Sequence, residues 1–324
     1  MRLLLVVNSF ASSVSARNTV TIHRRLSDQH EVEIVETNRR GHAIRFAQDA
    51  ARRELDAVIA FGGDGTLNEV ATGLAGSHTA LGVLPGGSTN VFARTIGVPN
   101  DPLAAVAGLM DGLDATDVRP IGLGKVNGRY FCFHTGIGFD ASVVAAVERH
   151  ATLKRWLGHP LFMWSAMTTW AKRYQNSPAL FEFVDDGGVP TPSVFTVVLN
   201  TNPYTYLGNR PINLAPEASL SSGLVAISFT AFNLSTIART LQHAFGANGV
   251  GELDAVVESR FATTATARPL STHHGIPFQV DGDYLGEVDG LDIEYVPDAI
   301  KVVWPSRAVT RNHPARLRRH PAHR

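Results

Sequence analysis

The 324-residue sequence has a single cysteine, Cys132, so no disulfide can form within the chain. Its place between Phe131 and Phe133 in an expected strand makes it a small buried hydrophobe, and the absence of disulfides fits a reducing compartment. Net charge is also absent: 29 Lys and Arg balance 29 Asp and Glu, which removes any overall electrostatic argument for nucleic acid as a partner. No stretch approaches the roughly 20 apolar residues that cross a bilayer. The opening run Leu3–Val7 is too short for a signal-peptide core and reads as a first strand. Gly-x-x-x-x-Gly-Lys-Ser/Thr is missing, which argues against a P-loop protein. The histidines show no zinc spacing, and His273-His274 beside Gly275 reads as loop. A soluble, cytoplasmic protein is the expectation.

Charge is nevertheless unevenly spread. From Arg307 onward there are six arginines, three histidines and no acidic residue. This basic tail, 307–324, is expected to be disordered, or to rest on anionic lipid at about 1 kcal/mol per basic residue.

What is present is glycine in two places. Asp56–Phe61 is a short apolar run suited to a strand buried on both faces, and Gly62-Gly63-Asp64-Gly65-Thr66-Leu67-Asn68-Glu69 follows it. Leu67, Val70, Ala71 and Leu74 recur at helical spacing, so the glycines sit at a strand-to-helix turn, with Thr66 and Glu69 read as a capping box. Glycines remove Cβ atoms, and a helix N-terminus behind them favours a phosphate chain, with Asp64 available for a metal ion or a proton. A second such turn follows in Leu81-Gly82-Val83-Leu84-Pro85-Gly86-Gly87-Ser88-Thr89-Asn90, ahead of a helix that stops near Gly97 and Pro99. Two neighbouring turns of this kind lie where open parallel sheets bind ligands.

The pair GGDGTLNEV and LPGGSTNVFAR resembles the catalytic domain of the diacylglycerol kinase family, which includes bacterial lipid kinases and sphingosine kinases. The first motif alone also resembles NAD kinases and phosphofructokinases. The resemblance covers nearly all of 3–305 and implies an α/β N-terminal domain with a parallel sheet, followed by an all-β, sandwich-like domain with helical insertions. The expected boundaries are 1–120 for nucleotide binding, 121–296 for the lipid substrate, and a last strand, about 297–306, that returns to the first domain. The alternation of strands and helices from Leu3 to Leu84 agrees with the first part. Lys125–Tyr130 with its Asn127-Gly128 turn, and strand-like runs at 180–184, 193–200, 224–231, 278–280, 291–296 and 300–304, agree with the second.

The resemblance implies ATP and Mg²⁺, with nucleotide contacts from Asn8, Ser12, Ser13, Thr37, Gly62, Gly63, Asp64, Gly65, Thr66, Leu67, Asn68, Glu69, Gly86, Gly87, Ser88 and Asn90, and with Asp64 as metal ligand. Val280-Asp281-Gly282-Asp283 falls where relatives carry Asp-Gly-Glu, whose glutamate deprotonates the lipid hydroxyl. Asp283 therefore ranks first as general base, and Asp64, the base favoured in sphingosine kinases, second. Three acidic positions of some relatives are Val91, Gly122 and Ser222 here, which puts an accessory structural Mg²⁺ in doubt. On 160–174, Met163, Trp164, Met167, Trp170 and Tyr174 share a broad face rimmed by cations, suited either to core packing or to an acyl-chain entrance at a membrane surface. The expected activity is transfer of the ATP γ-phosphate to a lipid hydroxyl, diacylglycerol first, at a membrane the protein visits peripherally. The rivals are a sphingoid-base or other lipid-alcohol kinase, an NAD kinase, and a silent nucleotide- and lipid-binding protein. A homodimer is left open.

Overall fold

A computed structural model describes residues 1–149, 164–175, 177–270 and 275–305. Met163, His273-His274 and the basic tail lie outside the described residues. The chain opens as β1 (Arg2–Val7), α1 (Ala16–Ser27), β2 (Glu31–Glu36), α2 (His42–Arg52), β3 (Ala57–Gly62), α3 (Asp64–Leu74), β4 (Ala80–Pro85), α4 (Val91–Thr95) and α5 (Pro102–Asp114). The strands lie in the order β2-β1-β3-β4, all parallel. Every residue of β3 and β4 is buried, as continuous apolar strands covered on both faces should be. Because β2 and β3 flank β1 on opposite sides, the order reverses there, and the loops after β1 and β3 diverge to leave a crevice at the strand ends.

The second half begins with β5 (Val118–Val126), β6 (Arg129–Phe131), β7 (His134–Gly138) and α6 (Phe139–Glu148). The helix over 164–174, α7, leads to β8 (Phe181–Asp185), β9 (Thr191–Ser193), β10 (Phe195–Leu199), the small hairpin β11 (Thr205–Leu207) and β12 (Arg210–Ile212), and β13 (Leu224–Phe229). Then come α8 (Leu234–Ala244), β14 (Val256–Ala262), β15 (Thr264–Pro269), β16 (Ile276–Val280), β17 (Asp283–Val288) and β18 (Leu291–Val303). A six-stranded antiparallel sheet, β14-β13-β10-β7-β16-β17, packs on the part of the first sheet made by β5, β6, β8, β15 and β18. Strand alternation decides which residues meet: Val198, Leu224 and Ala226 face that sandwich core, whereas Phe195, Val197, Val225, Ile227 and Phe229 face a second cluster with Trp170 and Tyr174. The fold is thus an α/β unit with a parallel sheet joined to a β-rich unit with helical insertions.

The strand-like runs at 291–296 and 300–304 are one strand. β18 bulges between Val296 and Ile300, where Asp298 has φ +48°, so the hydrophobic pattern breaks while the chain continues. Its early residues pair with β15 and its later ones lie parallel to β4 at Lys301 and Val302, so it runs through both units. The Asn127-Gly128 turn has both φ values positive, as a type I′ hairpin requires.

Candidate functional site

Five chain segments meet at the carboxyl ends of the parallel strands. The two glycine turns touch backbone to backbone: the Gly86 amide donates to the Gly62 carbonyl at 2.7 Å, and a Cβ on Gly87 would stand 2.8 Å from the Gly63 Cα. Ser13 joins them, its amide donating to Gly86 O at 2.8 Å and its hydroxyl to Gly87 O at 3.3 Å. Asn8 donates to Thr66 Oγ1 at 2.9 Å. Asn90, in the left-handed region, folds onto Gly87, accepting from its amide and donating to its carbonyl, both at 2.8 Å. Ser12 and Ser88 stay exposed at the rim. Thr37 and Leu67 are buried.

Three helices start here, and their N-termini are treated differently. The capping box expected of Thr66 and Glu69 does not form, because α3 begins three residues earlier, with Gly63 at its N-cap and no side chain closing it. Glu69 instead reaches the start of α2, accepting from the amides of Gly41 at 2.8 Å and Ala43 at 3.1 Å. Asp64 does the same for the short α4, accepting from Val91 at 3.1 Å and Phe92 at 3.3 Å. Although Asp64 keeps an open edge, its carboxyl lies amid dense protein, and desolvation pushes it up to about 6 against the pull of the Asn90, Val91 and Phe92 amides. Two helix ends are closed by carboxylates, and that of α3 carries no side-chain cap.

Asn68 faces away from this opening. Buried, it donates to the Tyr130 carbonyl at 2.9 Å and to Asp281 Oδ2 at 2.7 Å. Asp281 also accepts from the amides of Cys132, Phe133 and His134 at 2.7, 3.0 and 3.1 Å. Burial pushes its carboxyl up to about 6, opposed by those four donors. Asp281-Gly282 is the two-residue type I′ turn between β16 and β17, and the Gly282 amide is held by Gln279 Oε1 at 2.7 Å. Gln279 in turn donates to Asp140, which also takes the Tyr204 hydroxyl. The turn so fixed aims the next residue, Asp283, at the first glycine loop. A Cβ on Gly65 would lie 3.6 Å from Asp283 Oδ2, although 218 residues separate the two.

Sequence reasoning missed Arg40 and Glu148. The Arg40 guanidinium is 3.1 Å from Asp283 Oδ1 and 3.4 Å from Glu148 Oε1, and the Tyr284 amide donates to Glu148 at 3.3 Å. The available signal was the pair Arg39-Arg40 at the end of a parallel strand. Beyond Glu148, a cleft of about 500 Å³ runs between α6, α7 and β17, lined by Ser142, Arg149, Arg173, Tyr284 and Glu287 among others. A smaller cavity sharing Ser142, Arg173 and Glu287 continues to Leu180, Phe181, Ile276 and Pro277.

On α7, Trp164 and Met167 are 55% and 52% exposed, whereas Trp170 and Tyr174 are 8% and 4%. Trp170 donates to the Phe232 carbonyl at 3.0 Å, and the Tyr174 and Ser142 hydroxyls are 2.7 Å apart. The helix widens into a π turn over Trp170–Tyr174, which rotates the later residues off the face that simple helical spacing assigns them.

For Mg²⁺, the described residues hold no cluster of three or more His, Cys, Asp or Glu, so a protein-built cage does not fit. One partly open carboxylate beside an uncapped helix end does fit an ion carried in on phosphates, which uses one or two protein carboxylates. An accessory site through 122 and 222 does not fit: a Cβ on Gly122 would be 2.0 Å from the Tyr295 hydroxyl, which donates to Leu220 O, and Ser222 bonds Ser219. The phenol fills that space.

The diacylglycerol kinase catalytic domain profile matches residues 2–126. A diacylglycerol kinase of Bacillus subtilis is 31% identical over 256 residues, 77% of this chain and 78% of that protein. The chain belongs to the diacylglycerol kinase family. Within the family, the "Probable lipid kinase YegS-like" protein of Pseudomonas aeruginosa is 34% identical over 52% of this chain and 54% of its own length. A diacylglycerol kinase structure from Bacillus anthracis superposes with a TM-score of 0.68 over 94% of this chain and 97% of that one; at 21% identity this speaks to fold alone.

Three outcomes are expected. Gly86→Ala drives a methyl to 2.8 Å from the Gly62 Cα and should destabilise the protein by about 1–3 kcal/mol, read as a lower midpoint in denaturant. Asp281→Asn turns an amide group against N–H donors and should lower stability by about 2–4 kcal/mol, more than Asn68→Ala does. His134 is buried, which pushes its imidazole down to about 4 against the opposing charge of Asp140. The unfolded chain then binds a proton that the folded one refuses between pH 6.5 and 4. Relative to His134→Gln, the wild type should therefore lose roughly 3 kcal/mol as pH falls through that window, while the opposite drift from Asp281 and Asp64 is common to both proteins. Paired melts from pH 7.5 to 4 check it.

Proposed function

We propose that this chain is an ATP-dependent lipid kinase whose acceptor is a lipid alcohol, diacylglycerol first among them. The observation that carries the reading is the uncapped N-terminus of α3 with the Asp283 carboxylate standing over Gly65, so that a phosphate site and a proton acceptor share one crevice. The first-turn amides of α3, the contact of the two glycine turns, and the rim hydroxyls of Ser12 and Ser88 supply donors for a triphosphate. Asn8 and Ser13 hold those turns together.

The acceptor enters from the cleft behind Glu148 and Tyr284, which continues past Arg173 and Glu287 to Leu180, Phe181 and Ile276. A headgroup at Asp283 would leave a hydrocarbon chain to run toward those apolar side chains. The acceptor oxygen bonds to the γ-phosphorus, the bond from that phosphorus to the β-bridging oxygen breaks, and the hydroxyl proton passes to Asp283. Asp64 would hold Mg²⁺ with the nucleotide, and the ion when bound offsets charge on the phosphate oxygens. Aspartate at 283 is one methylene shorter than glutamate, and the turn locked by Asp281 and Gln279 supplies the reach. The exposed Trp164 and Met167 give a membrane-facing edge on α7. The described residues include no helix long and apolar enough to cross a membrane.

The test is transfer of labelled γ-phosphate from ATP and Mg²⁺ to diacylglycerol, monoacylglycerol, ceramide and sphingosine in mixed micelles, with NAD as soluble control. Labelled diacylglycerol is expected, with turnover reduced by about 10²–10⁴-fold in Asp283→Ala. Asp64→Ala should be inactive while its melting curve stays cooperative. Label on NAD alone, or full activity in Asp283→Ala, would sink the reading.

A further inference from the structure

The Asp283 carboxylate is not free in this state. Its Oδ1 is bound by Arg40, which extends from the loop between β2 and α2 across the crevice and holds Glu148 as well. The guanidinium covers Oδ1 and leaves Oδ2 toward Gly65, so it occupies part of the carboxylate that an acceptor hydroxyl would approach. The opening on α3 meanwhile lacks a cation of its own: among the described residues of the four strand-end loops and the short α4, Arg39 donates to His42, and the Arg94 guanidinium lies 3.5 Å over the Tyr206 ring and donates to the Gly208 carbonyl. Arg40 is 63% exposed, so its pairing is weak enough to exchange.

We propose that Arg40 is a catalytic residue that trades Asp283 for a phosphate oxygen of the incoming nucleotide. Before ATP arrives, the guanidinium bridges Asp283 and Glu148 across the crevice. A triphosphate seated on the α3 amides presents several negative oxygens beside Gly65, where Asp283 stands, and competes for the same donors. Once Arg40 has turned to phosphate, Glu148 still holds the guanidinium near the site and Asp283 is released to face the acceptor. Nucleotide loading and arming of the base become one event. Without nucleotide Oδ1 of the base stays covered. This inference rests on the kinase reading, and its test is chosen to fail separately from it.

Binding of ATP with Mg²⁺ to the full chain, without lipid, is measured by calorimetry for the wild type, Arg40→Ala, Arg40→Lys, Asp283→Asn and the Arg40→Ala/Asp283→Asn pair. Arg40→Ala should weaken ATP by about fivefold or more, and Arg40→Lys should recover part of the loss because it keeps the charge. Asp283→Asn removes the competitor for Arg40 and should tighten ATP by about two- to fivefold, the scale of an exposed ion pair. The double variant should bind no more tightly than Arg40→Ala alone. A residue that only steadied the loop would not make loss of a carboxylate improve ATP binding through an arginine. Unchanged affinity in Asp283→Asn, or an equal gain in the double variant, overturns the exchange while leaving the kinase reading intact. No ATP binding by the wild type overturns both.

Discussion

The structure around the site depends on one buried anion. The Asp281 carboxylate collects N–H donors from Cys132, Phe133 and His134 on one side and from Asn68 of α3 on the other. In a low-dielectric interior such bonds are strong when complete and expensive when broken, which makes the geometry all-or-none. Asp281 thereby fastens the β16–β17 turn to the helix that carries the first glycine loop. Asp283 then has no choice but to stand over Gly65. The residue that resembles a mere turn former is the one that relates the two units of the chain.

A second pattern concerns helix ends. Glu69 and Asp64 both belong to α3, yet each closes the N-terminus of a neighbour, α2 and α4. The helix with the richest supply of capping groups is the one left open. Its glycines matter twice over: they allow the turn at Gly86 to approach within backbone contact, and they leave bare amides where a ligand can reach them. The carboxylate of Asp64 thus has a structural duty of its own, besides any role in binding.

Much of this was legible in the sequence. Both glycine turns, the parallel strands that carry them and the Asn127-Gly128 hairpin declare themselves by local composition, since each requires residue types that few other arrangements need. What sequence could not supply was the destination of side chains that act at a distance. Asn68 and Glu69 sit within the motif but point at partners 213 and 28 or fewer residues away. Arg40 and Glu148 are ordinary surface charges until the fold brings them to Asp283. β14 and β15 are hard to read because Glu258, Ser259 and Arg260 interrupt the apolar run of the one and threonines that of the other, and the face on α7 split because a π turn does not follow a 3.6-residue period.

The thirteen-residue strand β18 has a consequence for how the protein comes into being. β4 has β3 on one side and β18 on the other, and β18 is reached only after the entire second unit has been laid down. During synthesis the parallel sheet therefore waits with one edge unpaired while some two hundred further residues emerge, roughly 10–40 s at 5–20 residues per second. An open, wholly apolar edge is a template for unwanted pairing with other nascent chains. Completion of the parallel sheet is tied to completion of the sandwich, so a chain halted before Leu291 leaves neither unit whole.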